Sequence, residues 1–148
     1  MKIIISERQL RTIIENESNE KLLEISFNDF FSAENVIIKQ YKKQGYEGIK
    51  LIGDVYFENK QDKYFERLFE HVIEIDGNLD LMYSKIKSFG NLEYVGGNLY
   101  LGYCRELKSL GKLKYIGKNL YLSSSPLVKL SDKEIKNQVE IKGKIIRD

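Results

Sequence analysis

Residues 90–101 read GNLEYVGGNLYL and residues 111–122 read GKLKYIGKNLYL, nearly the same text twenty-one positions later. Aligning on this phrase gives four rungs, 53–57 (GDVYF), 77–81 (GNLDL), 97–101 (GNLYL) and 118–122 (KNLYL), lying 24, 20 and 21 residues apart. Within each rung polar and apolar residues alternate, which is the period of a strand with one buried face. Val55, Leu79, Leu99 and Leu120 are therefore expected to point inward from adjacent strands. Their neighbours Tyr56, Asp80, Tyr100 and Tyr121 are expected to point outward, with Asp54, Asn78, Asn98 and Asn119 forming a second outward column.

Further apolar positions keep step with the rungs: Ile86 and Phe89, then Leu107 and Leu110, then Leu127 and Leu130. Leu92 and Val95 match Leu113 and Ile116, and Val72 and Ile75 match them one copy earlier. A turn of about 20 residues cannot enclose its own apolar side, so turns must stack, and stacking sets equivalent strands side by side as a parallel sheet. Tyr94 and Tyr115 fall at equivalent positions on the opposite wall. The closing stretch 139–148 (VEIKGKIIRD) reads as a last partial turn, with Ile141, Ile145 and Ile146 covering the far end. Ser131 and Glu134 before it have the spacing of a capping box on a short helix.

The residues carry a family resemblance. Leu79-x-Leu81-x-x-Ser84-x-Ile86-x-x-Phe89 and Leu120-x-Leu122-x-x-Ser125-x-Leu127-x-x-Leu130 resemble the leucine-rich repeat pattern, and the copy from Leu99 to Leu110 has one extra residue before Leu107. More narrowly, IKSFGNLEYVGGNLYL is similar to the short leucine-rich-like repeats of uncharacterised tailed-phage and bacterial proteins, and the opening KIIISERQL also resembles the start of many phage proteins. The likeness spans residues 77–130 and departs from the family at Ser84, Cys104 and Ser125, where Asn is usual. It implies a scaffold for binding, with no particular activity attached.

The fold expected is α+β: a short leucine-rich-repeat-like solenoid with a parallel sheet over 53–148, capped by a helical region over 1–52. In that cap, Ser6 and Gln9 form a capping box for a helix over 7–17 with Leu10, Ile13 and Ile14 on one face. The KIII run before it has strand-like content. A second helix is expected after Ser32, running through Val36, Ile37, Ile38 and Tyr41 to a stop at Gly45, its end carrying Lys39, Lys42 and Lys43. KLLEISFNDFF between them reads as a short helix and a packed loop. The first turn of the stack lacks the repeat pattern after Phe57, and its DKYFERLFEHV segment is expected to be helical.

Composition removes several function classes. Lys plus Arg is 24 and Asp plus Glu is 22, so a net charge of +2 exerts no strong pull toward nucleic acid or acidic membranes. The charge is uneven, however: residues 53–76 hold three positive and seven negative side chains, and residues 97–148 hold eleven and five. A lone Cys104 forms no intramolecular disulfide, and one histidine, His71, leaves no material for a His/Cys metal cluster or a serine triad with a spare base. Glycines appear in no phosphate-loop or dinucleotide pattern. No signal-peptide core or membrane span is read in the sequence, so a soluble protein of the cytoplasm is expected, the host's if the gene is phage-borne, with the virion as an alternative place.

Taken together these readings give no catalytic residues, no metal, no cofactor and no enzyme. They point to a protein-interaction module, phage-encoded, that grips a host or virion protein through Tyr56, Asp80, Tyr100, Tyr121, Asn78, Asn98 and Asn119. Tyrosine suits recognition because it offers a large rigid area with a polar tip. The same residues also tolerate any solvated sheet surface. Two alternatives follow from the uneven charge: a virion structural or self-assembling component, in which acidic turns of one copy meet basic turns of the next, and nucleic-acid binding through the basic C-terminal end.

Overall fold

A computed structural model describes residues 21–56 and 62–148. The KIII run, the capped helix expected over 7–17 and Phe57 lie outside the described residues. The order is Leu22–Ser26 (β1), Phe27–Gln40 (α1), Gly48–Ile52 (β2), Asp62–Phe69 (α2), Val72–Ile75 (β3), Leu79–Asp80 (β4) and Tyr94–Val95 (β5). Then come Leu99–Tyr100 (β6), Tyr115–Ile116 (β7), Leu120–Tyr121 (β8), Asp132–Gln138 (α3), Glu140–Ile141 (β9) and Ile145–Ile146 (β10). Short 3₁₀ turns occupy Lys42–Gln44 and Pro126–Lys129. The architecture is mixed α and β with two parallel sheets, a wide six-stranded one in the order β1-β2-β3-β5-β7-β9 and a narrow four-stranded one in the order β10-β8-β6-β4.

Equivalent residues of the sequence copies pair across both sheets. In the narrow sheet Leu79 stands opposite Leu99 and Leu99 opposite Leu120, while Val55 bridges to Leu79 ahead of them. All four side chains are 0% exposed. In the wide sheet Ile75, Val95, Ile116 and Ile141 follow one another in register. The inward faces of both sheets contribute to one core cluster, which also takes Phe30, Ile37, Phe65 and Leu68 from α1 and α2. Each buried Leu or Val adds about 2 kcal/mol of transfer free energy as an upper estimate, so regular placement of such side chains is what stabilises strands as short as two residues.

Where the chain bends from wide to narrow sheet, the backbones of successive turns touch. A Cβ on Gly117 would sit 2.0 Å from the Gly96 carbonyl oxygen, and one on Gly96 would sit 2.3 Å from that of Asp76. Glycine is required at both corners by contact, since neither has a left-handed backbone.

The amino-terminal part differs from its sequence reading. LLEIS is strand β1, pairing in register with β2, rather than a helix and packed loop. Leu23 and Ile25 point into the core while Glu24 faces water, a two-residue alternation that the run of apolar letters hides. Helix α1 starts at Phe27, six residues before the expected point, because Ser26 caps it by accepting from the Asp29 N–H at 3.1 Å. The helix kinks at Ala33 (φ −128°, ψ 20°), next to Ser32, whose hydroxyl donates to the Asn28 carbonyl one turn back. Gly45 ends this segment in the left-handed region (φ 85°), as expected. Residues 22–52 thus extend the wide sheet across the expected boundary at 52/53 and are not a purely helical cap. Of the segment DKYFERLFEHV expected to be helical, Asp62–Phe69 forms α2, while Glu70 and His71 turn and Val72 opens β3; the capping box of Ser131 and Glu134 starts α3.

Candidate functional site

On the outer face of the narrow sheet the column runs Tyr56, Asp80, Tyr100, Tyr121 and Ile146. The Tyr100 and Tyr121 rings stack with centroids 4.6 Å apart and planes 17° from parallel. Tyr56, 58% exposed, stands apart from that stack because Asp80 lies between, its carboxylate accepting from the Met82 N–H at 3.0 Å. The parallel strand spacing of about 4.8 Å brings equivalent tyrosines to stacking distance. The outward direction of these residues therefore follows the sequence reading, but the tyrosine column is interrupted.

Asn78, Asn98 and Asn119 line up beside them and work on their own fold. Asp54 Oδ1 accepts from the Asn78 N–H (2.7 Å), Asn78 Oδ1 from Asn98 N–H (2.7 Å), Asn98 Oδ1 from Asn119 N–H (2.9 Å) and Asn119 Oδ1 from Lys144 N–H (2.8 Å). Each side-chain oxygen thus satisfies an amide that the bend from wide to narrow sheet takes out of the ladder. The far end carries Lys144, whose ammonium cannot accept a further N–H.

The narrow sheet continues into a corner that sequence reasoning did not single out. Tyr83 and Tyr103, at equivalent positions three residues past Asp80 and Tyr100, are 61% and 37% exposed. Their rings stack at 4.7 Å with planes 7° apart. Both adopt the left-handed backbone (φ 64° and 60°), as does Ser124 (φ 55°) in the next copy. For a residue with a Cβ this conformation costs about 1–2 kcal/mol, and one aromatic pair returns about 0.5–1.5 kcal/mol. The signal in the sequence was the repeated tyrosine two residues after the inward Leu81 and Leu101. Met82 lies over the buried Gly102.

The wide sheet presents a different outer row: Glu24, Lys50, Glu74, Tyr94, Tyr115 and Glu140 in register. Lysines and carboxylates pair along it. Lys50 lies 3.4 Å from Glu24 and 3.8 Å from Glu74, Lys114 lies 2.8 Å from Glu93, and Lys142 lies 2.7 Å from Glu140. Partial burial would lower the Lys50 pKa, but Glu24, Glu74 and Asp76 outweigh it and hold the ammonium above its ordinary range. Tyr94 stacks on Tyr115 at 4.6 Å, and its phenol is raised by burial first and then by the neighbouring Tyr115 and Glu74.

Cys104 and His71 stay apart in role. Cys104 is fully buried, with Sγ 2.8 Å from the Leu81 carbonyl oxygen and 3.6 Å from Ser84 Oγ, between the inward Ser84 and Ser125 of adjacent copies. His71 Nδ1 lies 2.9 Å from the Tyr41 hydroxyl, and burial, followed by the nearby Lys42, pushes its pKa below the ordinary range. No group of three or more His, Cys, Asp or Glu side chains gathers among the described residues, and no described helix is long and apolar enough to cross a membrane. No protein-family model, curated protein or solved structure matches the chain.

Proposed function

We propose that the chain is a non-catalytic protein-interaction module, a short leucine-rich-like solenoid of the kind found in tailed phages and bacteria. In this reading it is phage-encoded and binds a host or virion protein through the outer face of the narrow sheet. The observation that supports it is the Tyr100–Tyr121 stack, which fixes two half-buried rings side by side on the outer face of the sheet, with the Tyr121 hydroxyl held by the Asn119 side-chain amide at 3.4 Å. Rigid aromatic surface loses little conformational entropy on binding. Self-assembly by head-to-tail stacking has less support, because the ladder closes on Lys144 where a continuing stack needs an acceptor.

The test compares wild type with the double variant Tyr100→Ser and Tyr121→Ser. Proteins captured from a lysate of the native host are identified by mass spectrometry, the captured partner is purified, and its affinity for both forms is titrated. Both forms are expected to fold, with the variant at least about tenfold weaker. Equal affinity removes this face from the account.

A further inference from the structure

We infer that two copies of the chain join tail to tail as a two-fold dimer, strand β9 of one pairing antiparallel with β9 of the other. The inference stands independently of the interaction reading above.

The end of the stack that carries β9 and β10 is where the repeat core is left incomplete. There β9 is the outermost strand of the wide sheet and β10 that of the narrow sheet. Val95 and Ile116, the counterparts of Ile141 in earlier turns, are 0% exposed, as are Leu99 and Leu120, the counterparts of Ile145. Ile141 and Ile145 pack against the same core but are only half-buried, since no further turn covers them among the described residues. An apolar end of a repeat stack calls for a cover. An open groove lined by Lys136 through Ile141 follows this edge, so helix α3 leaves it accessible.

Backbone direction says what kind of cover fits. Glu140 and Lys142 donate their N–H groups to β7, to the Lys114 carbonyl at 2.9 Å and the Ile116 carbonyl at 3.0 Å. Ile141, between them, therefore turns its own N–H and C=O away from the sheet. On β10 the carbonyls of Lys144 and Ile146 accept from Leu120 and Leu122, which turns the N–H and C=O of Ile145 outward in the same way. A residue with both groups turned outward exchanges two hydrogen bonds with its own copy across a two-fold axis, as in the hydrogen-bonded pair of an antiparallel ladder.

Side chains select the copy and the register. Pairing about Ile141 sets Glu140 of each copy opposite Lys142 of the other, in the close pairs that flank the hydrogen-bonded one. Within one chain these two exposed side chains pair with each other at 2.7 Å, so the dimer replaces one such contact in each copy by two across the axis. Pairing about Glu140 or Lys142 instead sets like charges face to face. On the inner side Ile141 meets Ile141 and closes the core. Head-to-tail stacking lacks this match, because its side-chain ladder stops at Lys144.

Sedimentation equilibrium of the full-length protein tests the inference. A monomer–dimer equilibrium in the micromolar range is expected, ending at twice the 17.3 kDa chain with nothing larger. Because equal numbers of ion pairs are made and broken, the dissociation constant is expected to change by less than about threefold between about 0.05 M and about 0.5 M salt. Glu140→Lys alone and Lys142→Glu alone each set like charges opposite at both pairs and are expected to weaken the dimer at least about fivefold, while an equimolar mixture of the two variants restores it as a mixed dimer. Ile141→Pro removes an N–H that the ladder to β7 does not use, and is expected to abolish the dimer with the circular dichroism spectrum retained. In the wild type, hydrogen exchange at the Ile141 amide should slow as concentration rises. A strict monomer at about 0.1 mM, assembly beyond the dimer, a dimer indifferent to both charge variants, or Ile141 exchange that ignores concentration overturns the inference and leaves the interaction reading standing.

Discussion

Replacing Asn98 by Ala removes one link of the side-chain ladder and nothing else that the fold uses. The Asn98 N–H still donates to Asn78 Oδ1, but the Asn119 N–H loses the acceptor it now finds at 2.9 Å. A fully buried donor left unpaired costs about 1–3 kcal/mol, and this position is half-buried, so a loss of about 1–2 kcal/mol is expected. With a urea m-value of about 2 kcal/mol/M for a chain of this size, the unfolding midpoint falls by roughly 0.5–1 M. Asn98→Asp supplies its own control, because Asp54 already plays this part in the first link, accepting from Asn78 at 2.7 Å. Asp keeps an acceptor in place and is expected to stay within about 0.5 kcal/mol of wild type. Equal midpoints for Asn98→Ala and wild type, or equal losses for Ala and Asp, would refute the ladder as a stabilising device. If Asn98→Asp leaves stability intact and weakens the captured partner, the outward amide NH₂ groups are part of the interface as well.

Three further perturbations probe other parts of the molecule. Gly117→Ala drives a Cβ to 2.0 Å from the Gly96 carbonyl oxygen and is expected to cost at least about 2 kcal/mol, whereas Gly45→Ala, strained in backbone but with open space around it, costs about 1 kcal/mol; thermal unfolding ranks the two, and the reverse order contradicts the corner contact. Cys104→Ser is expected to stay within about 1 kcal/mol, since Ser84 and Ser125 occupy the equivalent buried positions, while Cys104→Leu overpacks the core by about 1–3 kcal/mol; rapid reaction of the native thiol with a disulfide reagent would contradict its burial. His71, the one histidine of the chain, is held with a depressed pKa, so the unfolded state binds its proton first and the stability it contributes is present above about pH 6.5 and lost as pH falls through the folded value. An NMR titration of its ring should give a midpoint below about 6.5, and the loss of stability on acidification through that range should shrink in His71→Gln; a midpoint above about 6.5 reverses the sign.

How much was legible varies with how local the signal is. The pairing of Leu79, Leu99 and Leu120 could be read because the copies are nearly identical and a two-residue alternation leaves one choice of face. Ser84, Cys104 and Ser125, which stand where the resemblance has Asn, are buried in the structure. LLEIS was misread because flanking apolar letters blur its alternation, and its strand character comes from pairing with Gly48–Ile52, twenty-six positions away, which no local pattern reveals. The start of α1 was misplaced because Ser32 resembles a cap as well as Ser26 does. In the structure Ser32 bonds back to Asn28 within the helix instead. Among candidate site residues, the outward tyrosines followed from strand phase, but the consumption of the asparagine oxygens depends on the close approach of one bend to the next. Tyr83 and Tyr103 escaped notice because they follow the strand, where the alternation ends and a left-handed turn re-aims the side chain.

Local pairing of charges is also why a net charge of +2 says so little about what this surface meets. On the wide sheet parallel register sets Lys50 between Glu24 and Glu74, and Lys114 meets Glu93 from the neighbouring turn, so opposite charges lie within a few ångströms of each other. On the loops beyond the narrow sheet Lys85 and Arg105 are both exposed, two residues past Tyr83 and Tyr103, and Lys87 lies 3.8 Å from Glu106. Parallel register thus gathers charges of both signs on the wide sheet, while the loops 82–91, 103–112 and 124–133 hold seven Lys or Arg and two carboxylates. A field of that kind changes association rate and partner choice more than stability. Reversing Lys85 and Arg105 should thus alter the salt dependence of binding while leaving the unfolding midpoint close to wild type, and a large drop in that midpoint would show that the two cations hold the fold rather than the partner.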